Sequence, residues 1–201
     1  MPFSFSLPCC IIEDPTQSLH AADVQGLFCA AGRLHPDVLG ALGLPNVRYS
    51  VRQCAGEVHD GDFIGALARH VKPLAMVQGI PGVVTLHACV FRATVPMDGG
   101  GHVYDMLLVL EDLCGWTPMR MRPTVAARLR SPILACIQRV HDRGVAHNNL
   151  GIDVLLYREG GGGFAPPAFR LIGFDDAICT APGRVWEDIP CVRFFSRHGG
   201  Q

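Results

Sequence analysis

Glycine runs constrain this chain more than any other feature. Gly99–Gly101 stand between the β-rich runs GVVTLHACVFRATV (82–95) and HVYDMLLVLED (102–112), and Gly160–Gly163 stand between DVLLY (153–157) and FRLIGF (169–174). Glycine loses more conformational freedom on ordering than any other residue, so a run of it neither propagates a strand nor builds a helix; the chain turns there. β-runs on either side of such a turn pair as hairpins. The second joint, REGGGGFAPPA (158–168), is long and loose and is the chain's one low-complexity segment.

Helical signals lie between and before the hairpins, which makes the class α+β. Phe63, Ile64, Leu67 and Val71 recur at helical spacing, with Asp60 or Asp62 as cap and Pro73 as the expected end. A second helix is expected from Ser131 as N-cap and Pro132 as first residue, with Ile133, Leu134, Ile137 and Val140 as its apolar stripe and Gly144 as its stop. VRYSVRQC (47–54) alternates as a strand does, and CGWTPMRMRP (114–123) has the composition of a linker. The first 46 residues are poorly placed. A helix from about Ser18, with Asp23 early and Gly32 as its stop, is followed by GRLHPDVLGALGLPNV (32–47), which is dense in turn signals.

Of 201 residues, 49% are hydrophobic and 17% charged, the balance of a folded chain. A net charge of −1 gives no footprint for nucleic acid or a membrane surface. No apolar run reaches the ~20 residues a bilayer span needs. The opening MPFSFSLPCCIIED has no positive charge before its apolar run and makes a poor signal peptide. The nine cysteines are odd in number, scattered and without a C-x-x-C, which predicts reduced thiols, no disulfide and a cytoplasmic or nuclear location. No Cys or His pair has zinc-ligand spacing. Lys72 is the one lysine.

The element order is strand, helix, hairpin, linker, helix, loop, hairpin. Three segments give that order chemical content: LLVLEDLCG (107–115), RVHDRGVAHNNLGIDVLLY (139–157) and FRLIGFDDA (169–177). They resemble, in turn, the fifth strand and hinge, the catalytic loop and the magnesium loop of the protein-kinase-like superfamily. VQGIPGV (77–83) is similar to a segment of the short, divergent kinase-like proteins common in fungi. The resemblance covers about residues 52–179. It implies a truncated kinase-like fold at 47–180, with a partial small antiparallel-sheet lobe, a hinge and a minimal helical lobe. Residues 181–201 would form a tail in which Trp186, Phe194 and Phe195 pack on the remainder. Helix, glycine, loop and strand are also the parts of an ordinary core turn, and that plainer reading stands beside the resemblance.

Phosphoryl transfer works by positioned charge, and the resemblance says where each charge belongs. The catalytic Asp position falls at Asn149, and an amide takes no proton. The Lys two positions on is Gly151. The magnesium Asn position is Val154, and the magnesium Asp position is Gly173. No glycine-rich phosphate loop precedes the strand, and Lys72 lies too late in the chain to serve the phosphates. Arg48 or Arg52 on the strand would make a surface pair or reach Glu57 or Asp62. Asp153 is expected to point away from the site, and Asp175 is a weak metal candidate, with Asp176 beside it. His147 is expected to pack in the core. Glu111 and Leu113 match the hinge positions whose backbone meets adenine, so ATP with magnesium could still bind, although no cofactor is expected. Three readings follow: a pseudokinase that binds or scaffolds an unknown protein partner, an active ATP-dependent phosphotransferase with non-standard residues, or a kinase-derived remnant without function.

Overall fold

The computed structural model describes residues 9–10, 30–34, 36–58, 63–94, 102–160 and 167–180. It is an α+β chain with small sheets, almost all antiparallel, and three helices among the described residues. It divides into two units, Met1–Val71 with Thr85–Cys114, and Lys72–Val84 with Gly115–Gln201. Among the described residues no helix is long and apolar enough to cross a membrane.

The first unit is built on a five-stranded sheet. Its strands are β1 (Cys9–Cys10), β2 (Ala30–Gly32), β3 (Tyr49–Val58), β4 (Leu86–Thr94) and β5 (His102–Leu110), in the order β1-β4-β5-β3-β2. Only the β1–β4 pairing is parallel. The β4–β5 pair is the first hairpin the glycine joints predict; its turn lies outside the described residues. Met106 to Leu110 of β5 are all buried, so this central strand reads as an unbroken apolar run rather than an alternating one. One face, with Tyr49, Val51, Ala88, Val90, Leu107 and Val109, shares a core with Val38, Leu39 and Leu42 of helix α1 (Pro36–Leu42).

Helix α1 corrects the expectation of turns over 32–47. It is stopped by Gly43, at φ 64°. The Leu44 N–H donates to Leu39 C=O (2.9 Å) and the Gly43 N–H to Gly40 C=O (3.2 Å), the pair of bonds that closes a helix through a left-handed glycine. Gly32 lies in β2 and stops no described helix; the helix expected from Ser18 lies outside the described residues. Residues 30–46 therefore belong to the first unit's sheet and core instead of standing apart from them.

Helix α2 (Phe63–Met76) runs through Pro73, its expected end. A proline in a helix forfeits one backbone bond, and here it is buried beside Leu74 and Ala75, whose burial keeps the last turn in place. The carbonyls at the helix end are met by side chains: Gln78 Nε2 donates to Leu74 C=O (3.0 Å) and Arg143 to Met76 C=O (3.0 Å). The expected caps Asp60 and Asp62 lie outside the described residues.

The second unit holds helix α3 (Pro123–Asp142) and two small sheets. The first, in the order β6-β8-β9, contains β6 (Thr117–Pro118), β8 (Leu155–Arg158) and β9 (Ala168–Leu171); the second pairs β7 (Val145–Ala146) with β10 (Ile178–Cys179). β8 and β9 form the second predicted hairpin. Helix α3 begins at Pro123, eight residues before the expected Ser131 cap. Pro123 fills the first helical position, and Ser131-Pro132 is interior. Val125, Leu129, Ile133, Cys136, Ile137 and Val140 form one buried stripe through both halves, and packing of that stripe outweighs the proline. The expected linker is likewise structured: Trp116 and Met119 are buried, and Thr117–Pro118 pairs with β8.

Ile80-Pro81-Gly82-Val83 is a turn closed by Val83 N–H to Ile80 C=O (3.0 Å), with Pro at its second position and Gly82 at φ 95° at its third. Leu171 N–H donates to Gly82 C=O (2.6 Å) and Val84 N–H to Leu171 C=O (3.1 Å), which joins this turn to β9.

Candidate functional site

The two motif segments meet within the second unit. Helix α3 ends at Asp142, and through Gly144, at φ 71°, the chain enters β7, which pairs with β10 just beyond the FRLIGFDDA segment. Thr180 N–H donates to Gly144 C=O (2.7 Å), closing the same junction. β7 delivers His147, fully buried, with Nε2 2.9 Å from Ile172 C=O and its ring 4.6 Å from that of Phe174. A carbonyl only accepts, so Nε2 carries the proton. The expected core role of His147 is what its burial and this bond describe.

The loop beyond His147 turns on Asn148, at φ 61°. Asn is one of the few side chains that takes the left-handed region readily, and here its Nδ2 donates to Asp176 C=O (3.0 Å). Asn149, where the resemblance expects the catalytic Asp, donates from Nδ2 to the Asp176 carboxylate (3.2 Å). Gly151 C=O accepts from Val154 N–H (3.3 Å), which winds Ile152–Val154 into one 3-10 turn. Val154 is buried, and its C=O accepts from Ile172 N–H (2.9 Å).

Val154 and Gly173 are neighbours. A Cβ built on Gly173 would sit 3.1 Å from Val154 Cγ1, tighter than ordinary contact. Gly173 has φ 77° and ψ 46°, and it starts the 3-10 turn Phe174–Asp176. The loop and the second hairpin thus set Val154 against Gly173 and Asn149 against Asp176. Where the resemblance expects two magnesium donors, a methyl group stands against a bare Cα.

The three acids have different settings. Asp153, in the 3-10 turn Ile152–Val154, is exposed and pairs with Arg120 (2.9 Å). Both partners are half exposed, so the pair is worth at most about 1 kcal/mol. Asp175 is half-buried, and the carboxylate that reaches Asn149 belongs to Asp176. A one-turn 3-10 segment rotates successive side chains by about a third of a turn, so Asp175 and Asp176 face different neighbours. Lys72, exposed on α2, is near the Cys179 thiol: burial pushes that thiol's pKa up, and the Lys72 charge draws it back. Cys179 Sγ lies 3.5 Å from Met76 Sδ. The described cysteines Cys54, Cys89, Cys114, Cys136 and Cys179 form no disulfide.

In the first unit, the Glu111 N–H and carboxylate and the Leu113 N–H all have partners. Glu111 N–H donates to Thr85 C=O (2.9 Å), while Glu111 Oε1 accepts from Thr85 N–H (2.8 Å). Leu113 N–H, the donor expected to meet an adenine ring, donates instead to the buried Ser50 hydroxyl at 2.9 Å. Sequence could not expose this, because the competing acceptor lies 63 residues upstream. Arg48 pairs with Asp112 (3.7 Å), the surface pair foreseen for it. His87 packs edge-on to Tyr49; burial lowers its pKa, and Glu111 raises it again.

Magnesium is bound by hard oxygen donors in near-octahedral array. The Val154 side chain offers no such atom, its C=O accepts from Ile172 N–H, and Gly173 has no side chain. The donor set at these positions does not fit the ion. No family model matches the chain, and no curated protein matches it.

Proposed function

We propose that the chain is a protein-kinase-like protein that has lost phosphoryl transfer and acts by binding a partner, as a pseudokinase. One observation carries this reading: Val154 fills the space beside Gly173, where the resemblance requires two oxygen donors. Two further features support it. The base position is an amide, Asn149, already bonded to Asp176, and the Leu113 amide is held by Ser50. A triphosphate without its cation or a phosphate lysine would be an uncompensated charge.

Thermal unfolding with and without Mg-ATP tests the loss of nucleotide binding. A ligand at a hundred times its dissociation constant stabilises by about 2.7 kcal/mol, a rise of roughly 5–10 °C for a chain of this length. The expected result is no shift at millimolar Mg-ATP. A shift of several degrees would favour the second reading, an active phosphotransferase with displaced acids. That reading is motivated by the Asp176 carboxylate at Asn149, and it requires Asp176→Ala to remove the shift.

A further inference from the structure

Within the second unit, helix α3, the Pro81-Gly82 turn and the start of β9 enclose a surface cleft of about 570 Å³. Its lining includes Arg128, Arg139 and Arg170, and no carboxylate among the described residues. The floor is apolar: Leu129 and Phe169 are buried, with Pro167 beside them.

The geometry of α3 arranges these groups. Arg128, Pro132, Ala135 and Arg139 recur at helical spacing and are all exposed, so they form one outward stripe with a guanidinium at each end and small apolar residues between. Eleven residues of helix separate the two arginines by ~16 Å. Arg170 stands on the opposite wall. Its guanidinium lies 4.9 Å from the centre of the Trp116 ring, and it donates to Phe169 C=O (3.1 Å). A guanidinium held by a ring face loses less rotamer freedom on meeting an anion than a free one does. The floor depends on Gly82. A Cβ there would fall 2.4 Å from the Phe169 ring, so only glycine lets that ring line the cleft.

We propose that this cleft docks an acidic, extended segment of a partner protein. The inference rests on the binding role proposed above and gives that role its surface. Charge complementarity selects carboxylates, and the apolar floor between the arginines selects one aliphatic or aromatic side chain at the segment's centre. An extended chain rises ~3.3 Å per residue, so it spans the ~16 Å between the α3 arginines in about five residues. The motif is an acid, a central apolar residue and a second acid about five positions after the first. Nucleic acid fits less well, because the cations are separated by apolar surface instead of following a strand.

The test is selection from a displayed library of random dodecapeptides against the full chain. Enriched peptides should carry Asp or Glu on both sides of an apolar residue. Arg128→Glu and Arg139→Glu should each weaken them about tenfold or more, and the loss should shrink as salt rises. Both side chains are exposed, so unfolding temperatures should stay unchanged, which separates lost docking from lost folding. The double variant should bind peptides in which Lys replaces the acids. Failure to enrich any peptide over an unrelated control protein, enrichment of acid-free peptides, or indifference to both reversals would overturn the proposal. A labelled single-stranded DNA oligonucleotide that outcompetes the peptides and is lost in the same variants would reassign the cleft to nucleic acid. None of these outcomes depends on Mg-ATP, so failure here and failure of the pseudokinase reading are told apart.

Discussion

Gly173 carries the proposed loss of metal binding at the scale of one residue. Its backbone is left-handed, at φ 77°, and Val154 Cγ1 lies 3.1 Å from where a Cβ would begin. Restoring the acid expected at this position meets both obstacles. Gly173→Asp should destabilise the protein by ~1–2 kcal/mol: L-residues pay that order of cost in the left-handed region, with Asp at the tolerant end, and the valine contact adds to it. Val154→Ala should relieve the steric part, giving a coupling of at least ~0.5 kcal/mol in a double-mutant cycle followed by urea denaturation. A neutral Gly173→Asp, or strictly additive variants, would show that the contact does not constrain the site. At this scale the side-chain donors that Asn149, Val154 and Gly173 offer or lack are legible from residue type alone. The sequence was uninformative about which acid, Asp175 or Asp176, meets Asn149, since that is fixed by the pitch of a single 3-10 turn.

At the scale of elements, both hairpins were legible because glycine joints and β-rich runs are local signals. Helix ends were not. Ser131-Pro132 has the chemistry of a helix start, and Pro73 that of a stop, yet α3 and α2 run through them. In each case the buried residues continue past the proline, so tertiary packing outweighs the local preference. Helix α1 was hidden by Gly40 and its shortness, although Val38, Leu39 and Leu42 followed by Gly43 were the available signal. The proline inside α3 yields a prediction. Pro132 is exposed and cannot donate a backbone bond to Arg128 C=O. Pro132→Ala should raise stability by ~1 kcal/mol, less than the full helix-interior penalty of ~3 kcal/mol because the native helix has adapted to the ring. Equilibrium denaturation checks this, and a lower midpoint would mean that the ring's own contacts outweigh the missing bond.

At the scale of the whole molecule, the class α+β followed from patterning, whereas the division into two units and the commitment of the Leu113 amide to Ser50 depend on long-range contacts that no local pattern encodes. The central claim is that phosphoryl transfer is absent. General-base help is worth ~10²–10⁴ in rate, and each lost charge stabiliser costs a factor of about 10²–10³. These losses need not multiply, but one such factor taken from a kinase turnover of ~1–100 per second leaves little. Asn149→Asp alone should restore nothing, because Val154 and Gly173 still offer no donor. The direct measurement is incubation of the purified chain with labelled ATP, Mg²⁺ or Mn²⁺ and generic protein and small-molecule acceptors. The account predicts no transfer above a protein-free control. Transfer that Asp175→Ala or Asp176→Ala abolishes would contradict it and assign the metal to a displaced carboxylate.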